Sequence, residues 1–393
     1  MINLFVESFG PLKKCDIEIG TLTVLVGNQG VGKSTIAKLY SSLVWLEKAI
    51  FLGKKDINKK ISKAYFLELL KFHQIDSYFT NNTIIIYSGK FCTISVKNSA
   101  VTVEKNKTSD LYCLPKIQYI PAERNLVSAI DKYENISYLS PNMQDFVEIY
   151  DTAVRSEKTI DIKLPIDNLK VKYDKRTRKV IVYNDSYSIP VGIAASGIQS
   201  MMPFIVVIKY LEKIVFNENK LSTLKNLAEK KNLNEQFLRV LGYIPEDMEH
   251  DENVKNNIQR LFDSCVVSIL EEPEQNLFPN SQKIMMEDLL EFLNTSKENN
   301  LIITTHSPYI LETINNCIYA ASLSEKNIKS NDILPSQQQI SYSNVSAYKI
   351  YDGIAESIKI DELKQIDPAE IDSCSVSINE VYSKLSDREY ENE

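Results

Sequence analysis

Residues 2–9 and 21–26 predict neighbouring strands at the start of the fold, the second a short, mostly apolar run of the buried kind. A helical pattern opens at Ile36 and continues through Leu43, Leu46 and Ile50. From Leu52 the pattern changes. Lys54-Lys55-Asp56 and Lys59-Lys60 predict exposed turns, and Ala64 to Phe72 has helical spacing. Ile84 to Tyr87, Phe91 to Val96 and Ala100 to Val103 predict short strands parted by Gly and Asn turns, a small antiparallel sheet of its own. A further strand, Ile117 to Ile120, runs into Pro121-Ala122-Glu123-Arg124-Asn125.

Residues 126–156 read as largely helical, and Leu164 to Tyr187 as a hairpin system with its clearest alternation at Lys179 to Tyr183. Residues 205–262 are mostly helical in pattern but carry no sustained heptad, so a long coiled-coil arm is not expected. The α/β pattern returns at Cys265 and runs to about Ala321. Ser322 to Ser346 is polar and predicts a surface insertion, and the tail from Tyr348 includes a helix around Ile378 to Leu385. The chain therefore divides into 1–51, the first part of an α/β core; 52–113, a small α+β insertion; and 114–125, a core strand. Then come 126–190, a helical and hairpin insertion; 191–264, a helical subdomain; 265–321, the second part of the core; and 322–393, a C-terminal extension suited to docking a partner.

Composition narrows the class. The 393 residues are 44% hydrophobic and 25% charged, ordinary for a globular protein. A net charge of −7 argues against general polyanion binding, although a local basic groove could coexist with it. The six cysteines are scattered without a C-x-x-C pair, which fits reduced thiols in a cytoplasmic protein. Strand-like residues begin at Ile2, so no leader is expected. No apolar run approaches the roughly 20 residues that span a bilayer; Met201 to Ile208 comes nearest and Lys209 ends it.

Against this background one segment carries specific chemistry. Gly27-Asn28-Gln29-Gly30-Val31-Gly32-Lys33-Ser34-Thr35 fits G-x-x-x-x-G-K-[ST] at every required position, between a strand and a helix. That setting aims backbone N–H groups and a helix N-terminus at an anion. Lys33 would meet the β- and γ-phosphates, and the Ser34 hydroxyl would sit on Mg²⁺. A second segment, Cys265 to Leu270, is an apolar strand that ends abruptly in Glu271-Glu272-Pro273-Glu274. Adjacent carboxylates there are costly unless a metal–nucleotide complex compensates them. Glu271 would hold the metal and Glu272 would polarise the attacking water.

Leu301 to Thr304 ends similarly at Thr305-His306-Ser307-Pro308, which places an imidazole where it can reach the γ-phosphate or the water. His73 and His250 have no motif context and read as solvent-facing, and the three histidines lack zinc-ligand spacing. Ser196-Gly197 in Ala195-Ser196-Gly197-Ile198-Gln199 reads as a helix cap whose N–H groups and hydroxyl could bind an anion.

In this order the pieces resemble the ATP-binding-cassette ATPases, and more closely their soluble branch with Rad50, SMC and the overcoming-lysogenization-defect (OLD) ATPases. Within that branch the chain looks like the compact AAA-type ATPases of bacterial anti-phage systems, the PARIS and Septu type. The resemblance makes Gly27 to Thr35 the Walker A motif and Val267 to Glu272 Walker B, with Glu271 where many relatives have aspartate. It makes Ala195 to Gln199 the signature motif, with Ile198 in place of its second glycine. Asn276 to Pro279 becomes the D-loop region, without its usual acidic residue, and His306 the switch histidine. Tyr119 to Arg124 resembles a segment near the Q-loop, with Gln118 the candidate metal-side glutamine.

The resemblance implies an α/β P-loop fold with inserted subdomains. It also implies slow or partner-gated ATP hydrolysis with Mg²⁺, and a head-to-tail homodimer around two ATPs, with higher oligomers open. Ser196, Gly197 and Gln199 of one copy would face Lys33, Ser34, Glu271, Glu272 and His306 of the other. The OLD nucleases add an acidic Toprim centre, but Glu325, Glu356, Asp361-Glu362 and Glu370-Ile371-Asp372 lack its arrangement. A regulatory ATPase controlling a separate nuclease is therefore the first expectation. An ATPase acting directly on DNA is the second, with the basic cluster Lys170, Lys172, Lys175, Arg176, Arg178 and Lys179 as its contact surface.

Overall fold

The computed structural model describes residues 2–52, 61–106, 112–130, 136, 138–156, 161–166, 168–216, 264–368, 381 and 383. The turns expected at residues 54–60, most of the helical stretch 205–262, His250 and the helix at 378–385 lie largely or wholly outside them.

The chain opens with β1 (Ile2–Phe9), β2 (Leu12–Ile19) and β3 (Leu22–Val26), then α1 (Lys33–Phe51) and α2 (Lys63–Lys71). Next come β4 (Ile84–Ser88), β5 (Cys92–Lys97), β6 (Ala100–Lys105) and β7 (Pro115–Ile120). A short helix α3 (Leu126–Ala129) and α4 (Pro141–Arg155) precede β8 (Ile162–Lys163), β9 (Lys170–Asp174), β10 (Lys179–Tyr183) and β11 (Ser188–Pro190). The remainder is α5 (Ser196–Val215), β12 (Cys265–Glu271), α6 (Pro279–Leu293), β13 (Asn300–Thr305), α7 (Pro308–Glu325), β14 (Val345–Tyr351) and β15 (Ile354–Ser357).

Eleven strands form one sheet in the order β6-β5-β4-β1-β2-β15-β14-β3-β13-β12-β7. Its second half, from β14 to β7, is parallel throughout. Such strands are buried on both faces, and β3 shows why its run is apolar at nearly every position. Leu22, Val24 and Val26 pack into the core shared with α5, α6 and α7, while Leu25 points to the opposite core under α1. The expected hairpins at 162–190 form a separate four-stranded sheet, β11-β10-β9-β8, whose Val171 and Val182 join the first of these cores.

Three expectations change. β1 and β3 are not neighbours, because β2, β15 and β14 lie between them. The strands β4 to β6 do not make a sheet of their own, because β4 pairs antiparallel with β1 and extends the main sheet. Residues 322–346 are not wholly a surface insertion: α7 runs to Glu325, and Ser330, Gln339 and Ile340 are buried. The tail beyond them supplies β14, which pairs in parallel with β3 from Val345↔Leu22 to Lys349↔Val26. Residues 345–349 of the segment taken as an extension are thus structural core. Its polar Ser346 and Lys349 hide the strand in a local reading, and its partner lies more than 300 positions away.

Candidate active site

The phosphate loop joins β3 to α1. Gly27, Gly30 and Gly32 have φ of 138°, 78° and 112°, which disfavour any residue with a Cβ. At Gly27 a Cβ would also collide with the Ile350 carbonyl of β14, so the loop is seated directly on that strand. Lys33 opens α1 and folds back over the loop, its Nζ donating to Gly27 O at 2.7 Å and Asn28 O at 2.8 Å. Asn28, Gln29 and Gly30 form the exposed crown, Val31 and Ser34 are half-buried, and Thr35 is buried. Burial lowers the Lys33 pKa, opposed by the charges of Glu272, Glu274 and Glu271.

Strands β3, β13 and β12 lie side by side, so their C-terminal ends bring Lys33, His306 and the carboxylates together. Glu271 is buried, with Oε2 accepting from Ala122 N at 3.3 Å. Its Oε1 is buried without a partner. Glu272 turns the chain out of the strand at φ 43°, in the left-handed region that a non-glycine residue seldom adopts. Its carboxylate accepts from Gln275 Nε2 at 2.9 Å and stands 3.6 Å from His306 Nε2, too far for a hydrogen bond. Burial and Lys33 lower the His306 pKa against the pull of Glu272, so the imidazole is neutral at neutral pH.

Two residues that motif reading did not place in the site hold this arrangement. The fully buried guanidinium of Arg124 donates to Glu271 O at 2.6 Å, Glu272 O at 2.8 Å and Ser200 O at 3.0 Å. It lies 5.1 Å from the Phe204 ring centre, and burial lowers its pKa to about 10, leaving it charged. Glu274 accepts from Thr305 Oγ1 at 2.8 Å and His306 N at 2.7 Å, which ties the two strand ends to one carboxylate. Burial raises the Glu274 pKa, opposed chiefly by those hydrogen bonds. The signal was present: three carboxylates in four positions need compensation, and Arg124 directly follows a neighbouring strand end.

The remaining candidates fall elsewhere. Gln118 sits opposite Ser268, three positions short of Glu271, or about 10 Å back along the strand. Its Nε2 donates to Tyr119 O at 3.1 Å and toward Asp145 at 3.4 Å, so it is not brought to the metal side. Ser196 is exposed and is the first residue of α5 rather than its cap; Ala195 is the cap, and no side-chain hydrogen bond closes the helix end. Gln199 donates to Gly192 O at 3.0 Å and Val191 O at 3.2 Å. Gly197 packs on the 276 backbone, where a Cβ would lie 2.8 Å from Asn276 O. Ile198 points into the core, so the bulk that replaces glycine is turned inward. His73 is 2% exposed, and its ring packs 4.6 Å from that of Tyr119, so the solvent-facing expectation fails.

The donor set suits Mg²⁺. Ser34 and the unpartnered Glu271 Oε1 are hard oxygen donors, and a magnesium ion completes its octahedron with water and phosphate oxygens. Among the described residues no group of three or more His, Cys, Asp or Glu side chains forms a metal cage. No helix among them is long and apolar enough to cross a membrane.

Residues 263–311, from the start of β12 to the first turn of α7, match the family model described as an AAA ATPase domain. The chain is similar to the SMC head domain from Thermotoga maritima, at 8% identity over 91% of this chain and 98% of that one, with a TM-score of 0.40. It is similar to the recombination mediator protein RecF, at 12% identity over 91% and 97%, with a TM-score of 0.36. A nucleotide-free ATP-binding cassette from an ABC transporter is similar at 10% identity over 92% and 93%, with a TM-score of 0.35. A comparison with curated proteins finds no match. The architecture is α/β, with a phosphate loop between β3 and α1, and ATP hydrolysis is the activity that this site and the matched ATPase segment indicate.

Proposed function

We propose that this chain is a regulatory ATPase that closes as a head-to-tail homodimer around ATP and Mg²⁺ and thereby controls a separate effector, a nuclease, in an anti-phage defence system. The observation that carries the ATPase reading is the meeting of Lys33, Glu271, Glu272 and His306 at three adjacent strand ends. Triphosphate would replace the Gly27 and Asn28 carbonyls as the partner of Lys33. Bound Mg²⁺, held by Ser34 and Glu271, would neutralise phosphate charge. Glu272 would then orient and deprotonate the attacking water, with neutral His306 donating to the γ-phosphate.

Exposed groups beside this centre support closure by a second copy. Ser196 presents its hydroxyl to solvent, and Ile193 and Phe278 are 74% and 76% exposed on the flanking loops. The defence setting rests on the order of motifs. It is tested by purifying wild type and Glu272→Gln from the native host and identifying retained proteins. A nuclease encoded nearby and held by either form supports the reading; retention of duplex DNA alone sinks it.

One observation favours a second reading, action on DNA. Lys172, Lys175, Arg176, Arg178 and Lys179 are exposed on the single hairpin of β9 and β10, which has the density of cations a phosphate backbone requires. Duplex binding that weakens with salt and disappears on charge reversal of Lys175, Arg176 and Arg178 would select this reading.

A further inference from the structure

The register between β12 and β13 ends at the pair Glu271 and Thr304. Beyond it two hydrogen bonds continue the stitching, in opposite directions. Glu272 N donates to Thr304 O at 2.9 Å, and His306 N donates back to Glu274 Oε1 at 2.7 Å. The same Oε1 accepts from the hydroxyl of the fully buried Thr305 at 2.8 Å, and that hydroxyl accepts from Ser307 N at 3.0 Å. One carboxylate oxygen thus fixes three successive residues centred on His306. Its own place is set from Glu272. Pro273, with little freedom in φ, separates the two, and Gln275 N closes the turn on Glu272 O at 3.2 Å. A carboxylate drawn out of water is costly unless a cation compensates it. Burial lowers the Arg124 pKa, and among the neighbouring carboxylates Glu274 opposes this most.

We propose that Glu274 is a positioning residue for ATP hydrolysis, holding the end of β13 so that the His306 imidazole stays beside Glu272. The proposal rests on the reading of Glu272 and His306 as the pair that acts on the water and the γ-phosphate. Glu274 lies two positions after Glu272 and bonds the backbone of His306, so it sets the spacing between base and imidazole. Without that oxygen, His306 N and the Thr305 hydroxyl lose their common acceptor. The 3.6 Å between His306 Nε2 and Glu272 Oε1 is then no longer held. A displacement of about 1 Å in such a site costs on the order of 10²-fold in rate. The effect falls on the chemical step. Lys33 and the loop that would bind triphosphate belong to β3 and α1, and none of these hydrogen bonds is made to them.

Steady-state and single-turnover phosphate release from the full chain test this. Glu274→Leu removes the acceptor and should lower kcat about 10²-fold, with KM for ATP within about threefold of wild type. Glu274→Gln, whose amide oxygen can still accept both bonds, should recover at least about tenfold of that loss. Thr305→Val keeps the shape, removes one donor and should lower kcat about fivefold. It decides the matter if Glu274→Leu does not fold. His306→Ala should itself be slow, and adding Glu274→Leu to it should change the rate by less than about twofold, because the two act as one unit. A slow His306→Ala beside a Glu274→Leu as fast as wild type overturns the positioning role alone. So does a loss confined to KM, or a further fall of about tenfold in the His306→Ala background. A His306→Ala variant as fast as wild type removes the hydrolytic reading of His306, and the proposal with it.

Discussion

Arg124 and Glu272 show how single residues set up this site. Glu272 occupies a left-handed backbone conformation, and Arg124 pins the carbonyls on either side of that turn. Replacing Glu272 with Gln keeps the shape and removes the base, so hydrolysis should fall by about 10²- to 10⁴-fold while ATP binding persists. Phosphate release and nucleotide binding measured on the same preparation check this. Arg124→Met removes the charge and leaves buried carbonyls unpaired, which should cost roughly 3 kcal/mol of folding stability. A urea melt reads that loss, and a midpoint equal to wild type would mean the clamp is ornamental. Lys33, Glu271, Glu272 and His306 were legible in the sequence because each closes a local strand motif. Gln118 was misread because nothing in sequence fixes how far along a strand a side chain falls from its end. Arg124 and Glu274 were underread because their partners come from other segments.

At the scale of elements, the phosphate loop depends on a strand that lies more than 300 residues further along the chain. Gly27 has φ 138° and lies against Ile350 of β14. Gly27→Ala should therefore lower ATP affinity at least about tenfold, as seen by isothermal titration, because the loop must lift from that strand. Deleting residues 345–393 should give an unfolded product by circular dichroism, whereas a dispensable docking tail would leave a folded ATPase. The strands with strong local signals were readable: β4, β5, β6 and β10 appear where the pattern predicted them, and β9 falls within the expected hairpin system. Which strands pair was not readable, because β14 meets β3 and β4 meets β1 through contacts that no local window contains. The helix start at Ser196 was placed well, yet its cap was not. An Ala in the cap position leaves no side-chain signature.

For the molecule as a whole, His73 makes stability depend on pH. Burial, with a smaller contribution from Lys38, lowers its pKa to about 3 in the folded chain, against 6.5 when unperturbed. The unfolded chain therefore takes up the proton first as pH falls. The stabilisation from keeping this ring neutral is complete above pH 6.5 and is lost toward pH 3, at up to about 1.4 kcal/mol per pH unit. Urea midpoints measured from pH 7 to pH 4 should fall less steeply for His73→Phe than for wild type.

The seating of Gly27 on Ile350 also has a consequence for biogenesis. The ribosome finishes the nucleotide loop early but makes the strand beneath it more than 300 residues later, so a growing chain holds the complete motif without a surface to mould it. Nascent chains stalled before Val345 emerges should not be retained on immobilised ATP, and those released beyond Ser357 should be. Until β14 has been made, the nucleotide loop would stay without the strand that shapes it.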